Sequence, residues 1–184
     1  PILKGVILMM LMSSLFGLSF MVLMPAWSVA VLKGDAATNG LLQAARGIGA
    51  LMMAFWLISL GNFRFKGRLI TISMLISPFL IVLFSFIRSV PVAFAVLVVL
   101  GMANLLIANL STVLVQMNVD DRLRGRVMGV YTFAFFGFMP FGSLWIGAAA
   151  GWFNEQTAII ICGVMSLVFA SIIWKLAPGF VKAE

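Results

Sequence analysis

The chain has 184 residues, 64% of them hydrophobic and 9% charged, against roughly 45–50% and about 25% in ordinary soluble domains. A soluble fold of this length leaves roughly a third of its unfolded-chain surface exposed and cannot hide so much apolar side chain, so the solvent is lipid. Histidine is absent and Cys162 is the only cysteine, which removes disulfides, His-based metal sites and His proton relays, while the net charge of +7 has to be read by position before it is read as a sum.

The chain opens at Pro1 without an initiator Met or a secretory leader, and is expected to be part of something longer. From there, six stretches are long and apolar enough to cross a hydrocarbon core of about 30 Å, which takes about 20 helical residues. They run over residues 5–32, 40–60, 69–87, 91–117, 127–153 and 157–174. None alternates as a barrel strand would, and backbone in lipid must bond within its own segment, so an all-α membrane protein of six transmembrane helices is expected.

The second stretch, GLLQAARGIGALMMAFWLISL, holds the only charge inside a span: Arg46, six residues or about 9 Å beyond Gly40. With Gln43 and small neighbours on its stripe it is either a cation lining a substrate path or an arginine that snorkels to the headgroups. The fourth stretch carries Asn104, Asn109, Thr112 and Gln116. Asn109, Thr112 and Gln116 share one helical stripe, while Asn104 shares another with Gly101, Ala108 and Ser111; each is a path candidate or an interhelical hydrogen-bonding group. The fifth is expected to pack closely through Gly129, Gly142, Gly147 and Gly151 and to kink at Pro140. Tyr131, the only tyrosine, is a further path candidate or an interfacial anchor.

The loops are short, so Lys and Arg bias sets orientation. Lys4, Arg64, Lys66, Arg68, Arg122, Arg124, Arg126, Lys175 and Lys182 lie on one side, against Lys33 and Arg88 on the other. Both termini are therefore expected in the cytoplasm, with Trp27 and Trp152 near the outer interface and Trp174 near the inner one. The positive charge becomes a topology signal, and nucleic acid is not an expected partner. Asp120, Asp121, Arg122, Arg124 and Arg126, with Arg64, Lys66 and Arg68 from the other loop of that side, are candidates for a gate of breakable ion pairs; positive-inside anchoring is the alternative. No carboxylate pair, HExxH or serine elbow lies in a span, so an enzyme is not expected. Neither a cofactor nor a metal is expected.

At the loop before the fifth span the sequence resembles the major facilitator superfamily, in the branch of the enterobactin exporter and macrolide-efflux-type proteins. Gln116, the acidic pair Asp120 and Asp121, then Arg124, Gly125, Arg126 and Val127, then Pro140, Gly142 and Gly147 follow in that branch's order, and Ala45, Gly47, Gly49 and Ala50 resemble its small-residue eighth helix. The stretch GNFRFKGR lacks the aspartate common in the superfamily's loop, and Asn118 and Val119 stand where the branch usually has a proline. The resemblance implies that residues 1–184 are the C-terminal six-helix half of a twelve-helix inner-membrane transporter. A three-plus-three inverted repeat is possible within it, and the N-terminal half is missing. It implies efflux of a small amphipathic molecule, such as a drug or siderophore, by alternating access, with proton antiport common among such proteins. The partners are then the lipid bilayer, a small-molecule substrate and the N-terminal half. A free-standing six-helix homodimeric carrier or channel, or a structural membrane scaffold, is the alternative that the residues alone leave open.

Overall fold

A computed structural model describes residues 2–61 and 66–176. Arg64, Lys182 and the side chain of Lys4 lie outside the described residues. Six membrane-length helices run over Gly5–Ala30, Ala36–Leu60, Lys66–Phe84, Val90–Met117, Asp121–Trp152 and Glu155–Lys175, and the described residues contain no strand. The second span starts earlier than its apolar pattern, because Asp35 accepts the Thr38 backbone N–H at 2.9 Å and the Thr38 hydroxyl at 3.0 Å, a cap that begins the helix at Ala36. The fifth likewise starts at Asp121, so Arg122, Arg124 and Arg126 stand on its first turns and not in a loop.

The spans pair in a pattern. The second packs on the fourth and the fifth on the first; the third packs on the fourth and the sixth on the first; the third and sixth pack together. Exchanging the first three spans for the last three maps these pairings onto themselves. Three is odd, so the exchanged helices run in opposite directions, and this is the inverted three-plus-three arrangement. A contact between the fifth and sixth spans has no comparable counterpart between the second and third.

Glycines set the tightest crossings. A Cβ on Gly49 would strike the Val98 carbonyl, and one on Gly101 the Arg46 carbonyl, so the second and fourth spans touch backbone to backbone. Gly142 makes the equivalent crossing of the fifth span on the first, against the Ser19 hydroxyl and the Leu15 carbonyl. Gly129, Gly147 and Gly151 do not pack in this way: among the described residues no other span comes within 4 Å of a Cβ built on any of them. Of the four glycines expected to pack closely, Gly142 does, on a stripe with Ile146 and Ala149, while the other three are exposed within this unit.

Two spans are broken where a continuous helix was expected in one and a proline kink in the other. The first runs as α-helix to Met12, widens to a π-turn over Ser13–Gly17, tightens to a 3-10 turn over Ser19–Leu23 and resumes as α-helix at Met24, just before Pro25. The fifth widens over Phe133–Gly137 and restarts at Met139. Pro140 thus stands in the first turn of a new helix, where its missing N–H costs nothing, and the break precedes it.

The apolar core is in two layers. One gathers Phe20, Met24, Trp27, Leu42, Phe84 and Leu97 toward the Arg88 end, the other Met9, Ile70, Leu110, Leu114, Tyr131 and Ile173 toward the Arg-rich end. Trp27 is fully buried in the first layer, with the Arg88 guanidinium 5.4 Å from its ring centre, and is not a headgroup anchor. Trp152 and Trp174 are exposed, as interfacial indoles would be.

Candidate functional site

Between the two layers, at the level of both helix breaks, lies a cavity of about 70 Å³. Ser13 and Gly17 of the π-turn, Ser77 and Pro78 of the third span, Asn104 of the fourth and Ser166 of the sixth supply its polar or irregular wall, and Met9, Met12, Met74 and Phe169 are among its apolar lining. Ser77 donates to Asn104 Oδ1 at 3.2 Å, while Asn104 Nδ2 and the Ser166 hydroxyl are buried without a partner. Pro78 also withholds the N–H that the Met74 carbonyl would accept in a regular helix. The volume and the polar groups suit one or two water molecules. Of the path candidates only Asn104 lines this cavity; Ser77 and Ser166 were missed because single serines in apolar helices carry little signal, although Ser77 beside a mid-helix proline is a readable one.

The wall is held by hydrogen bonds at the breaks. The π-turn and the 3-10 turn after it leave carbonyls without their helical donors. Ser19 Oγ donates to Ser14 O at 3.1 Å and to Leu15 O at 2.6 Å, and Trp145 Nε1, from the fifth span, donates to Leu15 O at 3.0 Å. Trp145 also sets its ring edge-on to Phe16 at 5.5 Å. Nothing in the spacing of the fifth span singled Trp145 out.

Tyr131 is buried and is not an interfacial anchor: its hydroxyl lies 3.1 Å from Thr112 Oγ1 and donates to Ala108 O at 3.2 Å. The structure so brings Thr112 and Tyr131 together and ties the fifth span to the fourth. Asn109 and Gln116, although on the stripe of Thr112, are exposed and join neither group.

Gln43 and Arg46 do come together, with Arg46 Nη1 donating to Gln43 Oε1 at 3.0 Å. Arg46 Nε is buried and has no partner. Measured from the observed helix start, Arg46 is ten residues or about 15 Å along the span, deeper than the apolar pattern alone implies.

At the Arg-rich end, Arg124 pairs with Asp121 at 2.6 Å, and both side chains are substantially exposed. Such a pair one turn apart on a helix surface contributes under about 1 kcal/mol. Asp120 takes the N-cap position without a side-chain cap bond, and Arg122, Arg126 and Arg68 are exposed. Lys66 is half-buried at the start of the third span. The gate candidates are therefore brought to one end, with one ion pair, Arg124–Asp121, formed among the described residues of the fifth-span start.

No curated protein matches the chain. Residues 2–180 match the family described as transmembrane secretion effector, a family of transporters, which is not an enzyme class. With six membrane-length helices in an inverted three-plus-three arrangement and a family match over nearly its whole length, the chain belongs to the transmembrane secretion effector family of the major facilitator superfamily and is a multi-pass membrane transporter protein.

Proposed function

We propose that the chain is the C-terminal half of a twelve-helix secondary transporter that exports a small amphipathic molecule by alternating access. The observation that carries this reading is the uneven burial of the spans. The second and fifth, which the pairing pattern exchanges, have 17% and 22% of their apolar windows buried, against 33–44% for the other four. These two helices are the least covered of the six, and a second six-helix half of the same chain would cover them. Rocking of the halves about that interface would expose a central path to each side in turn.

The Arg-rich end then faces the cytoplasm of the inner membrane, with both termini of this half on that side. Proton antiport, where it operates, draws its acid from the other half, because this half has no carboxylate in the interior of a span. Neutralising the five acids of this chain leaves any proton dependence of the full-length transporter intact.

Cells expressing the full-length gene should accumulate less rhodamine 6G or fluorescein than cells carrying the empty vector, with the difference abolished by an uncoupler. Equal accumulation of both dyes, or an upstream reading frame without six further apolar spans, overturns the reading.

A further inference from the structure

Every carboxylate of the chain stands at or beyond a span end. Asp35 caps the second span, Asp120 and Asp121 open the fifth, Glu155 opens the sixth, and Glu184 follows it in sequence. Arg46, by contrast, is ten residues inside the second span, and its one hydrogen bond is to a neutral carboxamide. A charge at such depth calls for a counter-charge, and intramembrane ionisable groups face partners or wet paths for that reason. Among the described residues no carboxylate forms an ion pair with it.

The local geometry presents donors. The Arg46 carbonyl meets Gly101 at the backbone crossing of the second and fourth spans, so the root of the side chain is fixed. Gln43 is exposed and its Oε1 accepts from Nη1, which leaves its amide N–H₂ as a further donor beside the guanidinium. Gly40 and Gly47, on the stripe of Gln43, have nothing from the other described spans within 4 Å of where a Cβ would stand, so this stripe borders the face where the two halves would meet and a central path would run. Farther along that stripe Leu51 and Phe55 are exposed. Charged donors next to an apolar ladder match a carboxylate head on an apolar body.

We infer that Arg46 and Gln43 bind the carboxylate of an amphipathic organic anion whose apolar body lies along Leu51 and Phe55. The inference rests on the transporter reading and names the substrate class for it. A carboxylate accepts from the guanidinium with a full charge, a neutral head does so without one, and a cationic head is repelled by it.

The test compares phenylbutyrate with phenylbutyramide, equal in shape and different in charge, on the purified full-length protein in detergent. Binding is read as the temperature at which buried Cys162 becomes reactive to a maleimide dye. Phenylbutyrate raises that temperature saturably and the amide does not. Arg46→Gln abolishes the shift, and Arg46→Lys weakens half-saturation about tenfold through loss of the planar fork. Gln43→Glu, which supplies an internal carboxylate and keeps the protein folded, abolishes it too. Equal shifts from acid and amide, or a shift that survives Arg46→Gln, overturn the inference. So does a wild-type protein unmoved by phenylbutyrate in which Arg46→Gln lowers the unfolding temperature, since the anion then belongs to another part of the protein. Export of rhodamine 6G without phenylbutyrate binding overturns the anion site and leaves the transporter reading standing; binding without export of any dye does the reverse.

Discussion

The Leu15 carbonyl shows how two side chains can make a broken membrane helix tolerable. In lipid an unpaired carbonyl has no water to turn to, and here Ser19 and Trp145 occupy it together. Trp145→Phe keeps the ring against Phe16 and removes only the N–H. It should cost about 0.5–1.5 kcal/mol in reversible unfolding in mild detergent; an unchanged midpoint would show that Ser19 alone suffices. At the surface, Asp35 is held below its ordinary carboxyl value first by the Thr38 backbone N–H and then by the Thr38 hydroxyl. A lowered folded value means that the cap stabilises the second span fully above the ordinary value of 3.8 and loses this as pH falls through the lower folded value. Titration of isotope-labelled Asp35 by NMR should therefore give a midpoint below 3.8, and Thr38→Val should move it back toward that value. Arg46, Asn104 and Tyr131 were legible in the sequence because charge, amide and phenol are rare in apolar helices. Trp145 and Ser166 were not, because their roles depend on helices distant in the chain.

Among elements, the fifth span separates what spacing conveys from what it conceals. Glycines at four-residue steps, such as Gly147 and Gly151, mark a face on which backbones can approach, yet packing uses another face, the one through Gly142. Gly142→Ala is expected to destabilise by about 1–3 kcal/mol through overpacking against Leu15 and Ser19. Gly147→Ala and Gly151→Ala, by the same unfolding measurement, should change stability within this unit by less than about 0.5 kcal/mol. A loss at Gly147 as large as at Gly142 would place the crossing on the wrong stripe. Proline was a good guide to the region of the break and a poor one to its position. A residue without an N–H is best placed just after a helix restarts, so the break falls a few residues ahead of it.

Across the described residues, hydropathy located all six spans, with ends within three residues except the starts of the second and fifth, which polar caps and the Arg-rich turn place four and six residues earlier. Helix count left the pairing open; the contacts of the second span on the fourth and the fifth on the first supply it. The proposed orientation rests on loop charges alone. Reporter fusions after Gly34 and after Gly67 should report opposite sides of the membrane, with Gly67 cytoplasmic; a cytoplasmic signal at Gly34 would reverse the topology.

The small cavity between the two apolar layers has a consequence for the mechanics of the unit. Incompletely filled space makes a protein respond to hydrostatic pressure, because the volume is recovered when the surrounding structure gives way. Here that space coincides with the breaks of the first and fifth spans and with Pro78 of the third. Loose packing thus falls at the mid-plane of three spans, where their backbone hydrogen bonding is also interrupted. Compression should loosen the mid-plane while the two ends stay packed, whereas heat should melt both layers together.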